Sequence, residues 1–551
     1  MRMELILSNG KKVKEEKGKL LWDIIKEHYE ESLLPPVLAM VNGKYYELGS
    51  HLEEGGIFEA VSINNPLGNN SYSRTLQFIL IKAVLDLYPE SKITIEHSIS
   101  KGIYGEIHRN EALTEEKVWK IKEYMQQLID EDIPINKISV KKEEAMELFR
   151  SYKMEDKVKL LKNVTADNVK LYELQGRYDY FYGPMAYSTG VIKYFDLIFY
   201  EPGFILRLPP VETPTEIPPF QEYKKLSRIF KETEQWLNII GVADVGSLNE
   251  KIVNGEIVDI VRVSEALHEK KIAYIADMIA EKEQAKVVLI AGPSSSGKTT
   301  FANRLAIQLR VNGYLPKAIS LDDYFVNRTK TPLDEEGKPD YESIDALDLE
   351  LFNKHLSLIM DGQEVEIPKY NFYTGEREWV GNKFKLPPKG ILIIEGIHGL
   401  NPKLIATILD ENKFKIYISA LTQLNLDNHN RVATTDVRKI RRIVRDILSR
   451  GYSSELTLTL WPSIKRGEEK NIFVYQEEAD VMFNSTLVYE LSVLKRFALI
   501  ELDKIKPDSP VYYEASRLKS LLGFFKDING EYVPDNSILR EFIGGSLFYK
   551  Y

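Results

Sequence analysis

No cysteine occurs anywhere in the 551 residues. Disulfides, thiolate metal sites and a cysteine nucleophile are therefore excluded together. Long hydrophobic runs are missing as well. The best of them, residues 390–400, falls far short of the ~20 apolar residues that a membrane-spanning helix needs. The opening Met1-Arg-Met-Glu-Leu-Ile-Leu-Ser-Asn-Gly10 lacks the apolar core of a signal peptide. A surplus of positive charge is absent too. Lys and Arg total 73 against 82 Asp and Glu, a net charge of −9. That balance disfavours a broad nucleic-acid-binding face, though it leaves room for a local basic patch. These absences predict a cytoplasmic protein with no membrane contact. The remaining composition, 44% hydrophobic and 28% charged, is ordinary for a globular chain. The length exceeds what one core can serve, so several domains are expected.

The most informative segment is Lys286-Val-Val-Leu-Ile-Ala291 followed by Gly292-Pro-Ser-Ser-Ser-Gly-Lys-Thr299 and a helix-forming stretch from Thr300. Strand, glycine loop and helix in that order form the context of a phosphate-binding loop. Gly292 and Gly297 let the backbone curl with its N–H groups inward across Ser294, Ser295 and Ser296. The helix N-terminus at Thr299 and Thr300 adds partial positive charge. Lys298 is expected to reach the β- and γ-phosphates, and the Thr299 hydroxyl to ligate Mg²⁺. The expected cofactors are therefore ATP and Mg²⁺.

From Lys286 onward, apolar strands alternate with amphipathic helices: residues 287–291, helix 298–311, strand 317–321, helix 348–360, strand 390–395, strand 414–419. This pattern predicts an α/β domain with a doubly wound parallel sheet. Ligands bind at the C-terminal ends of such strands. Two acidic endings stand there, Asp322-Asp323 and Glu395. Phosphoryl transfer needs a base for the acceptor hydroxyl and carboxylates around Mg²⁺.

These elements resemble the uridine–cytidine kinase and phosphoribulokinase family over roughly 270 residues. The resemblance implies a fold and a set of roles. Ser320-Leu-Asp322-Asp-Tyr324-Phe325 is similar to the family's Ser-x-Asp-x-Phe-Tyr, with the aromatic pair in reverse order. It casts Asp322 as general base and metal neighbour, with Tyr324 and Phe325 beside the substrate. Ile394-Glu395-Gly396-Ile397 resembles Phe-Glu-Gly-Ile and casts Glu395 as a metal carboxylate with Thr299. Asp340-Tyr341-Glu342 resembles the acceptor-ribose segment, placing Tyr341 near the base and Glu342 on the ribose hydroxyls. Tyr370 and Arg377 match the pyrimidine-reading segment, whose usual histidine is replaced by Gly375.

Arg438, Arg441, Arg442 and Arg445 follow i, i+3, i+4, i+7 and so share one helical face. Val437, Ile440, Val444, Ile447 and Leu448 lie opposite, and Gly451 closes the helix. Like charges so placed need an anion, and a triphosphate supplies one. The resembling family uses this segment as a lid. That implies Arg441 and Arg442 on phosphates, as catalytic partners of Asp322 and Lys298, with Arg438 on the substrate side.

Residues 1–63 read as hairpin, helix and further strands, with turns at Asn9-Gly10 and Asn42-Gly43. They resemble the β-grasp TGS domain of threonyl-tRNA synthetases. Residues 64–218 resemble the α+β second domain of those synthetases, through phrases such as Ile103-Tyr-Gly-Glu-Ile107 and Tyr178-Asp-Tyr-Phe-Tyr-Gly-Pro-Met185. There the family's metal-ligand positions fall on Tyr72, Leu76, Phe181 and Met185. None of these replacements can serve the metal in that way, so editing chemistry is not expected. Prolines at 209–219 mark a boundary. Residues 219–283 read as a helical connector, and 284–551 as the kinase-like domain.

The expectation is ATP-dependent phosphorylation of a small alcohol, most simply a nucleoside 5′-hydroxyl. Two rivals remain: a kinase of another alcohol such as a sugar phosphate or polyol, and a non-catalytic ATP-binding regulator. In the second case the N-terminal half would contact RNA. A homo-oligomer is compatible with each.

Overall fold

Burial alternates along Arg2–Leu7, with Leu5 and Leu7 enclosed and Ile6 between them partly exposed, which makes it a half-buried strand that pairs antiparallel with Lys12–Glu16. In this computed structural model, residues 2–29, 34–404 and 408–549 are described. Positions 1, 30–33, 405–407 and 550–551 of the expected domains lie outside that description. Pro36–Val41 and Lys44–Glu47 form a second hairpin. Its Asn42-Gly43 turn has φ of +47° and +78°, the left-handed pair that a two-residue hairpin turn requires. Gly56–Ser62 then pairs parallel with the first strand and completes a five-stranded sheet. Leu21, Ile24 and Ile25 of helix Leu21–His28 are buried in the same core. This is the expected β-grasp fold.

Residues that follow build an α+β layer. Helix Pro66–Leu87, capped by the Asn65 side chain accepting from the Leu67 N–H, packs with Glu115–Asp130 over a four-stranded antiparallel sheet. A three-stranded sheet continues from Asn136–Lys141. Tyr72, Leu76, Phe181 and Met185 are all core residues. The Phe181 ring packs 5.1 Å from Phe78, and the Tyr72 hydroxyl receives the Lys193 and Tyr194 N–H groups. Apolar packing fills the place where metal ligands would stand.

The described residues fall into two units. The first comprises those of Met1–Glu222 with Asp244–Ser247 and Asn425–Arg431. The last of these segments was expected within the kinase-like domain. Its Asp427 lies 3.1 Å from the buried Lys157 ammonium, which also pairs with Asp179 at 2.8 Å. His429 completes the cluster at 2.7 Å from Asp179.

The second unit holds Tyr223–Ala243, Leu248–Leu424 and Val432–Tyr551. Its sheet is wholly parallel, in the order Leu315–Ser320, Gly390–Glu395, Val287–Ala291, Lys413–Ser419, Val481–Asn484. The central strand is sealed on both faces, which is why it reads as an unbroken apolar run rather than an alternation. Helices Lys224–Ile240 and Ile257–Glu281, expected as a connector, belong to this unit. The latter packs on Lys298–Val311, the helix after the glycine loop. Among the described residues, no helix is long and apolar enough to cross a membrane.

Candidate active site

Strand register brings the chemistry together. Ile290 and Ser320 both pair with Glu395, so three neighbouring strands end at one level. One end leads into the glycine loop, one into Asp322, and the third carries Glu395 itself. The loop's geometry follows from its glycines. A Cβ on Gly292 would sit 2.0 Å from the Ile418 carbonyl oxygen, and Gly297 has φ of +83°. Only glycine fits either place. Behind Gly297, helix Lys298–Val311 begins.

A cavity of 780 Å³ opens at these strand ends. Ser294, Ser295, Gly297, Lys298, Thr299, Asp322, Phe325, Tyr341, Glu342, Tyr370, Glu395 and Arg442 of the expected set line it. The buried hydroxyls of Ser295 and Ser296 have no hydrogen-bond partner in the fold, and that of Ser295, which lines the cavity, suits an anionic phosphate oxygen. The Thr299 hydroxyl donates to Glu395 Oε1 at 3.3 Å. With Asp322 in the same cavity, that supplies the hard oxygen donors Mg²⁺ takes.

Burial shapes the protonation of this site. It lowers the Lys298 ammonium, against the opposing pull of Glu395 and Asp322. It raises Glu395 to about 7, helped by repulsion from Asp322, while a Ser320 hydrogen bond opposes. Glu342 is likewise pushed up to about 7 by burial and by the nearby Glu468. Asp323 rises to about 6 through burial, though it accepts the Tyr370 N–H at 3.2 Å.

The arginine helix Thr434–Ser449 departs from expectation in one respect. Arg438 ion-pairs with Glu468 and donates Nε to the Ser294 carbonyl at 3.1 Å. Arg441 pairs with Glu490 at 2.5 Å and donates to the Ser295 and Ser485 carbonyls. Neither lines the cavity. Protein carboxylates, rather than a triphosphate, meet these two charges, because a fully buried cation is tolerable only when paired. Arg438 and Arg441 thus brace the Ser294 and Ser295 carbonyls of the glycine loop, and Glu468 also accepts the Ser294 N–H at 3.0 Å. Arg442 does line the cavity. It reaches Ser294 Oγ at 2.8 Å and Asp446 at 3.1 Å.

Five further expected residues lie off the cavity. Tyr324 is buried against His355, its hydroxyl 3.0 Å from Nδ1, whereas Phe325 faces the cavity. The 3-10 turn Leu321–Tyr324 sends the first aromatic inward and the second out, so the reversed order leaves a phenylalanine at the cavity. Arg377 is held by Asp348 at 2.8 Å and does not line the cavity. Thr300 is buried and donates to Glu541 at 3.0 Å; with Gly292 and Ser296 it lies behind the lining.

Arg445, already part of the arginine stripe, lines the cavity as well. Sequence reasoning missed Arg328, Arg450, Tyr452, Glu541 and Tyr549. Arg450 carried a signal, since it extends the cationic stripe toward Gly451. Arg445 and Arg450 both approach Asp446, at 2.6 and 3.9 Å. The other four sit in loops or in one-turn helices too short to show a period, Arg328 in Arg328–Lys330 and Glu541 in Arg540–Ile543.

Parallel sheet, glycine loop and carboxylates at the strand ends define a P-loop kinase domain. Residues 287–492 match the family model described as the Phosphoribulokinase / Uridine kinase family. A uridine kinase of Halobacterium salinarum is 27% identical over 194 residues, 35% of this chain and 77% of that protein. The N-terminal half matches the threonine–tRNA ligase of Thermotoga maritima, 32% identical over 204 residues, 36% of this chain. That match covers 31% of the ligase, so the chain spans less than a third of its length. Among solved structures, a possible uridine kinase from Bacillus stearothermophilus aligns at 20% identity and TM-score 0.25. It covers 36% of this chain and 89% of that one.

Proposed function

We propose that the second unit transfers the γ-phosphoryl group of ATP to the hydroxyl of a small alcohol. The resemblance names a nucleoside 5′-hydroxyl as its simplest form. The observation that carries this reading is the convergence of Lys298, Asp322 and Glu395 on one cavity from three adjacent strand ends. Asp322 accepts the acceptor's proton as the hydroxyl oxygen attacks phosphorus. Lys298, Arg442 and Arg445 hold the phosphate oxygens and offset charge that develops on them. Thr299, Glu395 and Asp322 would hold Mg²⁺, which polarises the phosphoryl oxygens when bound. Most of the rate gain then comes from positioning in a site assembled beforehand.

For the first unit we propose a non-catalytic role, because core side chains fill the metal-ligand positions. The direct experiment is transfer from labelled ATP to a panel of nucleosides, sugars and sugar acids. Absence of transfer to every one, in protein that binds ATP, would leave a regulator instead of a kinase.

A further inference from the structure

Gly375 stands where the resembling family keeps a base-reading histidine, and its lack of a side chain is filled by another residue. Arg328 donates its backbone N–H to the Gly375 carbonyl at 2.8 Å. A Cβ at 375 would come within 2.6 Å of Arg328 Nε and 2.8 Å of Cζ, and Gly375 has φ of +74°. Any side chain there would evict the arginine. Glycine at 375 and a guanidinium in the acceptor part of the cavity therefore go together.

The surroundings of that guanidinium are unusual for a cation. Its Nη2 donates to the Phe372 carbonyl at 2.6 Å and to the Tyr452 hydroxyl at 3.3 Å. The Tyr341 and Tyr370 hydroxyls lie close enough to feel its charge. All five residues line the cavity that holds Asp322. Among the described residues, no carboxylate comes within ion-pair distance of Arg328, whereas Arg442, Arg445 and Arg450 all approach Asp446. A guanidinium ringed by phenol hydroxyls offers a fork of N–H donors with rotatable O–H donors around it. That set matches the oxygens of one phosphate or carboxylate. A neutral uracil or cytosine ring would leave the charge without a counterpart.

We infer that the acceptor alcohol carries an anionic group, a phosphate or a carboxylate, which Arg328 binds together with the hydroxyls of Tyr341, Tyr370 and Tyr452. The inference rests on the kinase reading and specifies its acceptor. Arg328 selects the substrate, while Asp322 acts on the substrate's hydroxyl.

The test uses the full chain, ATP and acceptors paired to differ only in charge. Pentoses are set against pentose phosphates and glycerol against glycerate, with uridine and cytidine as neutral nucleosides. The two anionic arms separate phosphate from carboxylate. Expected is a kcat/KM at least ~30-fold higher for one anionic member than for its neutral partner. Arg328→Met should raise KM for that acceptor by a similar factor, with KM for ATP and Tm unchanged. Should that variant fail to fold, the charge preference of the unaltered protein, measured also by calorimetric binding of each pair, decides alone. Phosphorylation of neutral nucleosides as fast as any anionic acceptor, undisturbed by Arg328→Met, overturns this inference and leaves the kinase reading standing. Transfer to no acceptor, despite ATP binding, overturns both.

Discussion

The Arg450 guanidinium stands 3.7 Å from the Asp322 carboxylate. It also stacks on the Phe372 ring at 4.2 Å. Burial and the neighbouring Arg445 draw the Arg450 pKa down to about 10, so it stays charged at neutral pH. The contact steers the carboxylate proposed as the base without closing a tight ion pair on it.

Replacing that base tests the mechanism most directly. Asp322→Asn should lower kcat at least ~100-fold with ATP affinity kept. Arg450→Met should lower kcat by a smaller factor, about tenfold, because it removes positioning alone. Steady-state kinetics and ATP titration check both. A near-normal kcat in Asp322→Asn would remove this residue from the chemistry.

The two kinds of arginine on one helix should separate in mutation. Arg441→Met leaves Glu490 buried without its partner and should cost about 3–5 kcal/mol of stability, read by denaturant unfolding. Arg442→Ala should instead lower kcat by ~10–1000-fold with a lesser loss of stability, since its guanidinium lines the cavity. Equal effects on folding and turnover for both variants would contradict the division.

Glu395 supplies a pH dependence with a definite sign. Its folded value of about 7 lies above its ordinary 4.5, so the folded state holds the extra proton between those limits. Without Mg²⁺, its contribution to stability falls as pH rises through that window. Glu395→Gln should therefore gain on the natural protein between pH 5 and 8, on the order of 2 kcal/mol at the upper end. Mg²⁺ affinity of the natural protein should rise over the same interval, as binding displaces the proton. Unfolding curves and Mg²⁺ titrations at several pH values check the pair. A pH-independent difference would refute the assignment.

In the first unit, Leu76→Ala should cost about 2–5 kcal/mol, the penalty of an apolar cavity. Zn²⁺ should leave the Tm of the full chain unchanged. A Tm raised by Zn²⁺ would show that a ligand set survives there after all.

What the sequence made legible was local. The glycine loop, Asp322 and Glu395 announce themselves because strand, turn and helix signals flank them within a few residues. The strands at 287–291 and 390–395 and the helix at 298–311 fall where apolar periodicity puts them. Partners distant in sequence were not legible. Arg438 and Arg441 lie 30 and 49 residues from Glu468 and Glu490, and nothing in a helical stripe says which carboxylates will meet it. Tyr324 turned inward while Phe325 stayed at the cavity, because a single residue's step in a 3-10 turn reverses inside and outside. The edge strand Val481–Asn484, four residues long, was too short to show a period. Arg328 had no pattern at all, since its meaning depends on the empty Cα of Gly375.

Glu541 and Tyr549 wall the cavity beside a loop some 240 residues earlier, the Thr300 hydroxyl reaching Glu541 across a separation of 241 positions. During synthesis the glycine loop leaves the ribosome long before these two side chains exist. The nascent protein can shape its phosphate cradle early, yet the chamber stays open on that flank until residue 549 has emerged.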